Sequence, residues 1–242
     1  MPLKAIFLDA GNTLIFIDPR VVLPVFRENG ADTDQDRFWE AEFGARTRLA
    51  RRVEEGATGT EPEVWQDYFV DLFLAAGVPE ENLERVGRRL TELHAERHLW
   101  TYAHPATRPA LEELREAGYR LAVISNADGR VEDLLAEVGL DDLFEFVMDS
   151  EVEGVAKPDP EIFLRATRRM GVEPGESLYV GDLYPVDVVG ARGAGMEAVL
   201  LDPLHRLDYP APKIPSVADL PGFLAEKEGP GAGRPGAVAQ GR

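Results

Sequence analysis

Side chains that could do chemistry follow three short apolar segments and precede one predicted helix. The segments end in Asp9, in Ser125 with Asn126, and in Asp182 followed by Asp187, while Lys157 stands just before the helix. In a parallel sheet the carboxyl ends of all strands meet at one edge, so we expect these groups to converge there. One by one, they also fit helix caps or a solvated lysine. Together, a carboxylate nucleophile, a hydroxyl, an ammonium and two further carboxylates favour a catalytic site.

The elements that must position these groups alternate from residue 105 onward. Apolar segments at 119–126, 144–150, 177–182 and 196–202 are separated by helical patterns, and residues 4–9 read as another buried strand. Continuous apolar strands between helices are typical of parallel βαβ units covered on both faces. We therefore predict an α/β, Rossmann-like parallel sheet. Its domain is discontinuous and is formed by residues 1–15 and 99–226.

A segment of different character, residues 16–98, interrupts this domain. Four stretches, at 19–29, 36–53, 63–77 and 81–98, repeat apolar residues at intervals of three and four. This periodicity predicts amphipathic helices, and no strand pattern interrupts them. We expect an inserted α-helical domain. At the other end of the chain, residues 227–242 are rich in Gly and Pro without apolar periodicity, which predicts a disordered tail.

Composition narrows the classes of partner. The formal net charge of −18 repels nucleic acid and anionic membrane surfaces, and the absence of cysteine removes thiol and disulfide chemistry. No apolar run is long enough to span a membrane, and the chain enters its first strand without a signal peptide. We expect a soluble, cytoplasmic protein, a monomer or homodimer, that acts on a small molecule.

The motifs resemble those of the haloacid dehalogenase (HAD) superfamily of aspartate-nucleophile hydrolases. The matching motifs are FLDAGNTL at 7–14, VISN at 123–126, AKPDPEIF at 156–163 and YVGDLYPVD at 179–187, in the order of the family. The resemblance explains the insert, because many members have a helical cap after the first strand. The last motif, with Gly-Asp and a second Asp five residues later, resembles the magnesium-dependent phosphatase branch.

The resemblance implies a role for each motif residue. Asp9 would attack phosphorus and form an aspartyl-phosphate, and Lys157 would balance the charge of Asp9 and of the transferred group. Ser125 and the neighbouring Asn126 would contact the phosphoryl oxygens, and Thr13 would support the loop. Mg²⁺ would be bound by Asp9, the Gly11 carbonyl and Asp182. Asp187 would bind the ion through water or orient the site.

The sequence departs from the family pattern at Gly11. Phosphatases of this family usually have a second aspartate there, which protonates the leaving group and later activates water. General acid–base catalysis contributes about 10²- to 10⁴-fold to a rate, so its loss penalises alkyl phosphates with poor leaving groups. Either another acid substitutes, with Asp18 and Asp128 as candidates, or the substrate has an easily expelled leaving group.

Two alternatives stay open. The first is dehalogenation of 2-haloacids, which needs no proton donor and in which an arginine of the insert would hold the substrate carboxylate. The candidate arginines are Arg46, Arg48, Arg51 and Arg52. We nevertheless expect this arginine run to form a solvated face. Against this alternative, Asp182 and Asp187 have no role in a metal-free reaction. The second alternative is a phosphate-binding regulatory module with weak turnover.

Overall fold

The computed structural model describes residues 2–57 and 61–229 of the chain. Within these ranges the strands are β1 (Ala5–Leu8), β2 (Phe16–Ile17), β3 (Trp100–Tyr102), β4 (Arg120–Ser125), β5 (Val147–Asp149), β6 (Ser177–Gly181), β7 (Glu197–Leu201) and β8 (Lys213–Ile214). The α-helices are α1 (Pro19–Glu28), α2 (Gln35–Glu54), α3 (Pro62–Ala75), α4 (Leu83–Glu96), α5 (Thr107–Glu116), α6 (Val131–Glu137), α7 (Ser150–Glu153), α8 (Pro160–Met170), α9 (Val189–Gly193) and α10 (Leu220–Glu228). The chain divides into two compact units, Phe16–Tyr102 and the remainder.

The larger unit is built on a six-stranded parallel sheet. The strand order is β5-β4-β1-β6-β7-β8, so β1 lies between β4 and β6. Leu8 of β1 is in register with Val123 of β4 and with Val180 of β6. The structure confirms the predicted α/β, Rossmann-like fold, and it places the N-terminal strand in the interior of the sheet.

Burial on both faces explains why β1 is apolar along its whole length. Successive side chains of a strand point to opposite faces of the sheet. Phe7 belongs to a core formed with Tyr179 of β6 and with Ile162 and Phe163 of α8, while Leu8, on the opposite face, is also fully buried. Helix α8 begins where Asp159 caps it, with its carboxylate accepting a hydrogen bond from the Glu161 N–H at 2.9 Å.

The smaller unit contains the four predicted helices, α1 to α4, and also a structure that the sequence pattern missed. Strands β2 and β3 pair antiparallel, with Phe16 opposite Tyr102. Only helices were predicted for residues 16–98, and in the described part of this segment no strand interrupts the four helices, but β2 precedes the first of them and was missed. Because β3 pairs with β2, the unit extends to Tyr102 rather than to residue 98, the end expected from helical periodicity. Two-residue strands are too short to produce a recognisable alternation of apolar and polar residues.

Two further differences lie in the C-terminal part of the chain. Lys213–Ile214 forms an edge strand that was not predicted, with Ile214 in register with Leu201. Helix α10 extends through Lys227 and Glu228, so the predicted tail cannot begin at 227. The rest of that predicted disordered segment, 230–242, lies outside the described residues. Among the helices that the structure describes, none is both long and apolar enough to cross a membrane.

Candidate active site

The candidate site lies at the carboxyl edge of the three central strands of the sheet. Asp9 directly follows β1, and its backbone N–H donates to the Val180 carbonyl at 2.9 Å. On either side of β1, β4 ends in Ser125 and β6 in Gly181, which Asp182 follows. The parallel register therefore brings the ends of three chain segments, far apart in sequence, to one edge of the sheet.

Lys157 connects the carboxylates of this edge. Its Nζ atom donates to Asp9 Oδ1 at 2.6 Å and to Asp187 Oδ1 at 2.7 Å, and the lysine is only 4% exposed. Its backbone is also fixed, because the Asn126 side chain accepts from the Lys157 N–H and donates to the Lys157 carbonyl, both at 2.8 Å. The loop before α8 is thus held to the end of β4, which directs the ammonium at Asp9.

Both carboxylate oxygens of Asp187 already have partners. Oδ1 accepts from Lys157, while Oδ2 accepts from the backbone N–H groups of Asp182 and Leu183 at 3.0 and 2.9 Å. A Cβ atom on Gly181 would lie 2.4 Å from Asp187 Cγ, so a larger residue at 181 would displace the carboxylate. These contacts favour an orienting role for Asp187 and explain why glycine precedes Asp182.

The electrostatics of the cluster reflect burial and close charges. Burial alone would lower the pKa of Lys157, but the carboxylates of Asp187 and Asp9 outweigh it and raise that pKa above its usual value. Burial raises the pKa of Asp9, and the Lys157 charge opposes this rise. Lys157 therefore stays charged. Its positive charge favours the ionised form of Asp9, the candidate nucleophile.

The loop after Asp9 is a tight turn around one carbonyl. The Ala10 oxygen accepts backbone hydrogen bonds from Thr13, Leu14 and Ile15, and Asn12 adopts a φ of 54°. Among the described residues, the buried side-chain oxygens of Asn12 (Oδ1) and Thr13 (Oγ1) have no hydrogen-bond partner. Buried polar atoms normally have one, so these two oxygens are polar groups that a bound ligand or water would satisfy.

The donor set fits a hard divalent cation. Asp9, Asp182 and Asp187 are buried, and each offers a carboxylate oxygen within 4.8 Å of those of the other two. Concentrating carboxylates in a buried place is unfavourable unless cations neutralise them. Oxygen donors of this kind suit Mg²⁺, which retains several water ligands and needs few protein groups.

The remaining predicted residues lie at this edge, but their contacts vary. Ser125 is the buried last residue of β4, in register with Asp149 of β5. Asn126 was predicted to bind phosphate, but its side-chain amide instead holds the Lys157 backbone. A phosphate contact from Asn126 would therefore have to come from its backbone N–H.

The two substitute acids proposed from the sequence, Asp18 and Asp128, both contact an arginine. Asp18 caps α1 in the smaller unit, and its carboxylate accepts from the Arg20 backbone N–H at 2.8 Å and from the Arg20 guanidinium at 2.7 Å. Asp128 is exposed and pairs with Arg130 at 2.6 Å. Both carboxylates therefore already have an arginine partner.

The arginine run of the smaller unit differs from the solvated face that we expected. Arg46 is 5% exposed and pairs with buried Glu42 at 3.3 Å. Arg48 and Arg52 both pair with Asp71, at 3.0 and 3.1 Å. The prediction was wrong for Arg46, because the helical spacing that indicates an exposed face does not reveal a buried acidic partner one turn away.

Tyr179 is the residue of this cluster that sequence reasoning missed. Its hydroxyl accepts from Lys157 Nζ at 2.8 Å and donates to the Ile124 carbonyl at 2.9 Å. Burial, with the nearby carboxylates of Asp187 and Asp9, raises its pKa well above the usual value. The sequence did contain a signal for this role, a tyrosine within an apolar strand. A tyrosine buried in such a strand usually has a hydrogen-bond partner for its hydroxyl, which marks it as a candidate member of the cluster.

The parallel sheet and the carboxylate–lysine cluster at its carboxyl edge define an α/β protein of the Rossmann-like class. Comparison with known proteins identifies the family. The family model of the haloacid dehalogenase-like hydrolases matches residues 3–195, and the chain belongs to that family.

Curated relatives agree with this assignment, and a solved structure shares the fold. The chain is 37% identical over 150 residues to mouse haloacid dehalogenase-like hydrolase domain-containing protein 3, a match that covers 62% of the chain and 59% of that protein. It is 29% identical over 199 residues to the glyceraldehyde 3-phosphate phosphatase of Pyrococcus furiosus, covering 81% of the chain and 80% of that protein. A 2-haloacid dehalogenase from Pseudomonas syringae has a similar fold, with a TM-score of 0.56, 24% identity and coverage of 93% and 99%.

Proposed function

We propose that this protein is a magnesium-dependent hydrolase of small phosphorylated metabolites that acts through an aspartyl-phosphate on Asp9. The observation that supports the proposal most directly is the Lys157 ammonium, which lies 2.6 Å from Asp9 and 2.7 Å from Asp187. Nucleophilic attack on a phosphate ester brings an anion to an anion and therefore requires cations at the point of attack. Relatives named as phosphatases support the same reaction class.

In the proposed reaction, an Asp9 carboxylate oxygen attacks phosphorus, the new O–P bond forms and the ester O–P bond breaks. The leaving group departs with the bonding electron pair. Water then attacks the phosphorus of the aspartyl-phosphate, the O–P bond to Asp9 breaks with its electron pair returning to the carboxylate, and the proton lost by the water passes to solvent. Inorganic phosphate is released and Asp9 is regenerated. Lys157 offsets the negative charge on the nucleophile and on the transferred phosphoryl group, with Ser125 and the adjacent backbone N–H groups as donors to its oxygens. Thr13 supports the loop that follows Asp9.

Asp9, Asp182 and the Gly11 carbonyl would hold Mg²⁺, with Asp187 orienting the site. The ion supplies charge neutralisation at the phosphoryl oxygens.

Gly11 determines which esters react well. Without an acidic side chain at this position, the leaving group departs unprotonated unless water or the substrate supplies the proton. We therefore propose that aryl and acyl phosphates, whose leaving groups are weakly basic, react much faster than alkyl phosphates. The structure supports this preference, because both substitute acids named from the sequence are paired with arginine.

The test compares purified protein with Mg²⁺ on an aryl phosphate, an acyl phosphate and an alkyl phosphate. Asp9→Asn is expected to abolish turnover of all three. The matched control is Asp202→Asn, which alters another buried carboxylate, one that follows β7 and accepts backbone N–H bonds from Arg206 and Leu207 at 2.9 and 3.0 Å. This control is expected to retain the wild-type rate.

Other outcomes distinguish the alternatives. Equal turnover of aryl and alkyl esters would contradict the leaving-group argument. Halide release from 2-chloropropionate in EDTA, without phosphatase activity, would establish dehalogenation. Ligand binding with neither reaction would identify a regulatory module. The cytoplasmic location and the monomeric or homodimeric state stay predictions.

A further inference from the structure

The Lys157 ammonium has three N–H donors, and the structure provides three acceptors for them. Two are the carboxylates of Asp9 and Asp187. The third is the hydroxyl oxygen of Tyr179, at 2.8 Å. A lysine side chain is flexible and its ammonium is a compact point charge, so its position depends on the acceptors around it. With the two carboxylates alone, the third N–H of this buried ammonium would have no acceptor.

Tyr179 is itself held in place by its surroundings, so its hydroxyl oxygen is a fixed third acceptor. Its ring is fully buried in β6 and packs edge-on against Phe163, with centroids 5.0 Å apart and planes at 81°. Its hydroxyl has two acceptors in reach, the Ile124 carbonyl at 2.9 Å, in the strand that leads to Ser125, and Asp187 Oδ1 at 3.3 Å, and the shorter contact is the better acceptor for its single proton. With the proton engaged there, the hydroxyl oxygen remains available as an acceptor for Lys157.

We infer that Tyr179 is a positioning residue that orients the Lys157 ammonium toward Asp9 through this third hydrogen bond, an inference that rests on the proposed function. The consequence is kinetic. The ammonium interacts most strongly with the negative charge of the transferred group and the nucleophile in the transition state. Displacing the ammonium therefore lowers kcat more than it raises KM. Tyr179 touches no reacting atom in this arrangement. Its hydroxyl also lies 3.3 Å from Asp187 Oδ1, which is itself an acceptor of the Lys157 ammonium.

The test uses Tyr179→Phe, which retains the ring and removes only the hydroxyl. The matched control is Tyr119→Phe, because Tyr119 is also buried but precedes β4, at the opposite end of that strand from Ser125. The first readout is kinetic, with an aryl phosphate and Mg²⁺. Hydrogen bonds that involve a charged group are among the stronger ones, so kcat of Tyr179→Phe is expected to fall about tenfold or more, with KM changed by less than about threefold.

The second readout does not depend on activity. The chain has four lysines, at positions 4, 157, 213 and 227. Protein labelled with nitrogen-15 lysine is therefore expected to show one slowly exchanging ammonium resonance, from buried Lys157, which Lys157→Met identifies by its loss. In Tyr179→Phe without metal or substrate, this resonance is expected to shift or to be lost through faster exchange. In Tyr119→Phe it is expected to be unchanged.

A shifted or lost resonance together with a reduced kcat supports the inference. An unchanged resonance overturns it, whatever the rate, because Tyr179 would then not act through Lys157. A changed resonance with wild-type kcat also overturns it. If the wild-type protein has no phosphatase activity, the proposed function fails, and the resonance alone decides whether Tyr179 orients Lys157. No slowly exchanging resonance in the wild type would contradict the three-acceptor arrangement.

Discussion

Replacing Lys157 by methionine tests whether this lysine balances buried carboxylate charge. Methionine fills similar space but leaves Asp9 and Asp187 without the ammonium that lies 2.6 and 2.7 Å from them. Removing one partner of a buried ion pair costs about 3–5 kcal/mol of the free energy of unfolding, because the other charge stays buried. Since Lys157 contacts two carboxylates, we expect a loss of about 5 kcal/mol. In a chain of this length that loss lowers the melting temperature by roughly 10–20 °C.

The stability lost in Lys157→Met should also depend on pH, and it should be smaller in acid. Burial raises the pKa of Asp9, and the Lys157 charge and hydrogen bond oppose this rise. Removing Lys157 therefore raises that pKa further. A carboxyl group with a higher pKa in the folded than in the unfolded state binds its proton more tightly when folded, so acid stabilises the folded state relative to the unfolded one. The deficit of Lys157→Met relative to the wild type should shrink from about pH 8 to about pH 5.

Urea denaturation of the full chain in EDTA, at both pH values, measures the effect. Lys4→Met is the matched control, because Lys4 also contacts a carboxylate, Glu176, at 2.6 Å but its side chain is 50% exposed. An exposed pair contributes about 0–1 kcal/mol, so the control should lose little stability. Equal losses in the two variants, or a deficit of Lys157→Met that grows as the pH falls, would refute the charge-balance reasoning.

Two glycines give further predictions. The backbone at Gly11 lies outside the left-handed region, and Gly11→Asp should raise turnover of an alkyl phosphate by about 10²- to 10⁴-fold by restoring a proton donor; an unchanged ratio of alkyl to aryl rates would show that protonation is not limiting. Gly181→Ala should displace Asp187, whose Cγ would lie 2.4 Å from the new Cβ, and lower both kcat and the melting temperature. Gly222→Ala, whose Cβ meets nothing within 4 Å, is its control and should be neutral.

Local signals in the sequence were sufficient for the sheet and for the charged residues of the site. A buried strand is a short apolar run that ends at a turn, so Asp9 and Asp182 could be placed at strand ends from their neighbours alone. Parallel pairing follows from the alternation of strands and helices, and it brings these ends to one edge. The structure accordingly brings Asp9, Lys157 and Asp187 within hydrogen-bonding distance of each other.

Partners distant in sequence could not be inferred in the same way. Asn126 holds the backbone of a residue 31 positions later, and Arg46 is buried although its helix pattern indicated an exposed face. The two-residue strands β2 and β8 depend on pairing with β3 and β7 rather than on their own sequences. Their local residues have no periodicity that could predict them, because the interaction that forms each strand lies elsewhere in the chain.

The sequence by itself determined the fold class, the order of the helices and of the longer sheet strands, and the charged groups at the sheet edge, since each depends on apolar periodicity and turns within a few residues. Only the tertiary structure decided how those groups are paired: that Lys157 bridges Asp9 and Asp187, that Tyr179 supplies its third acceptor, and that Gly181 leaves room for Asp187. The physical reason is range. Hydrogen bonds and ion pairs depend on distances below about 4 Å between atoms, and the chain sets those distances only once the strands have paired.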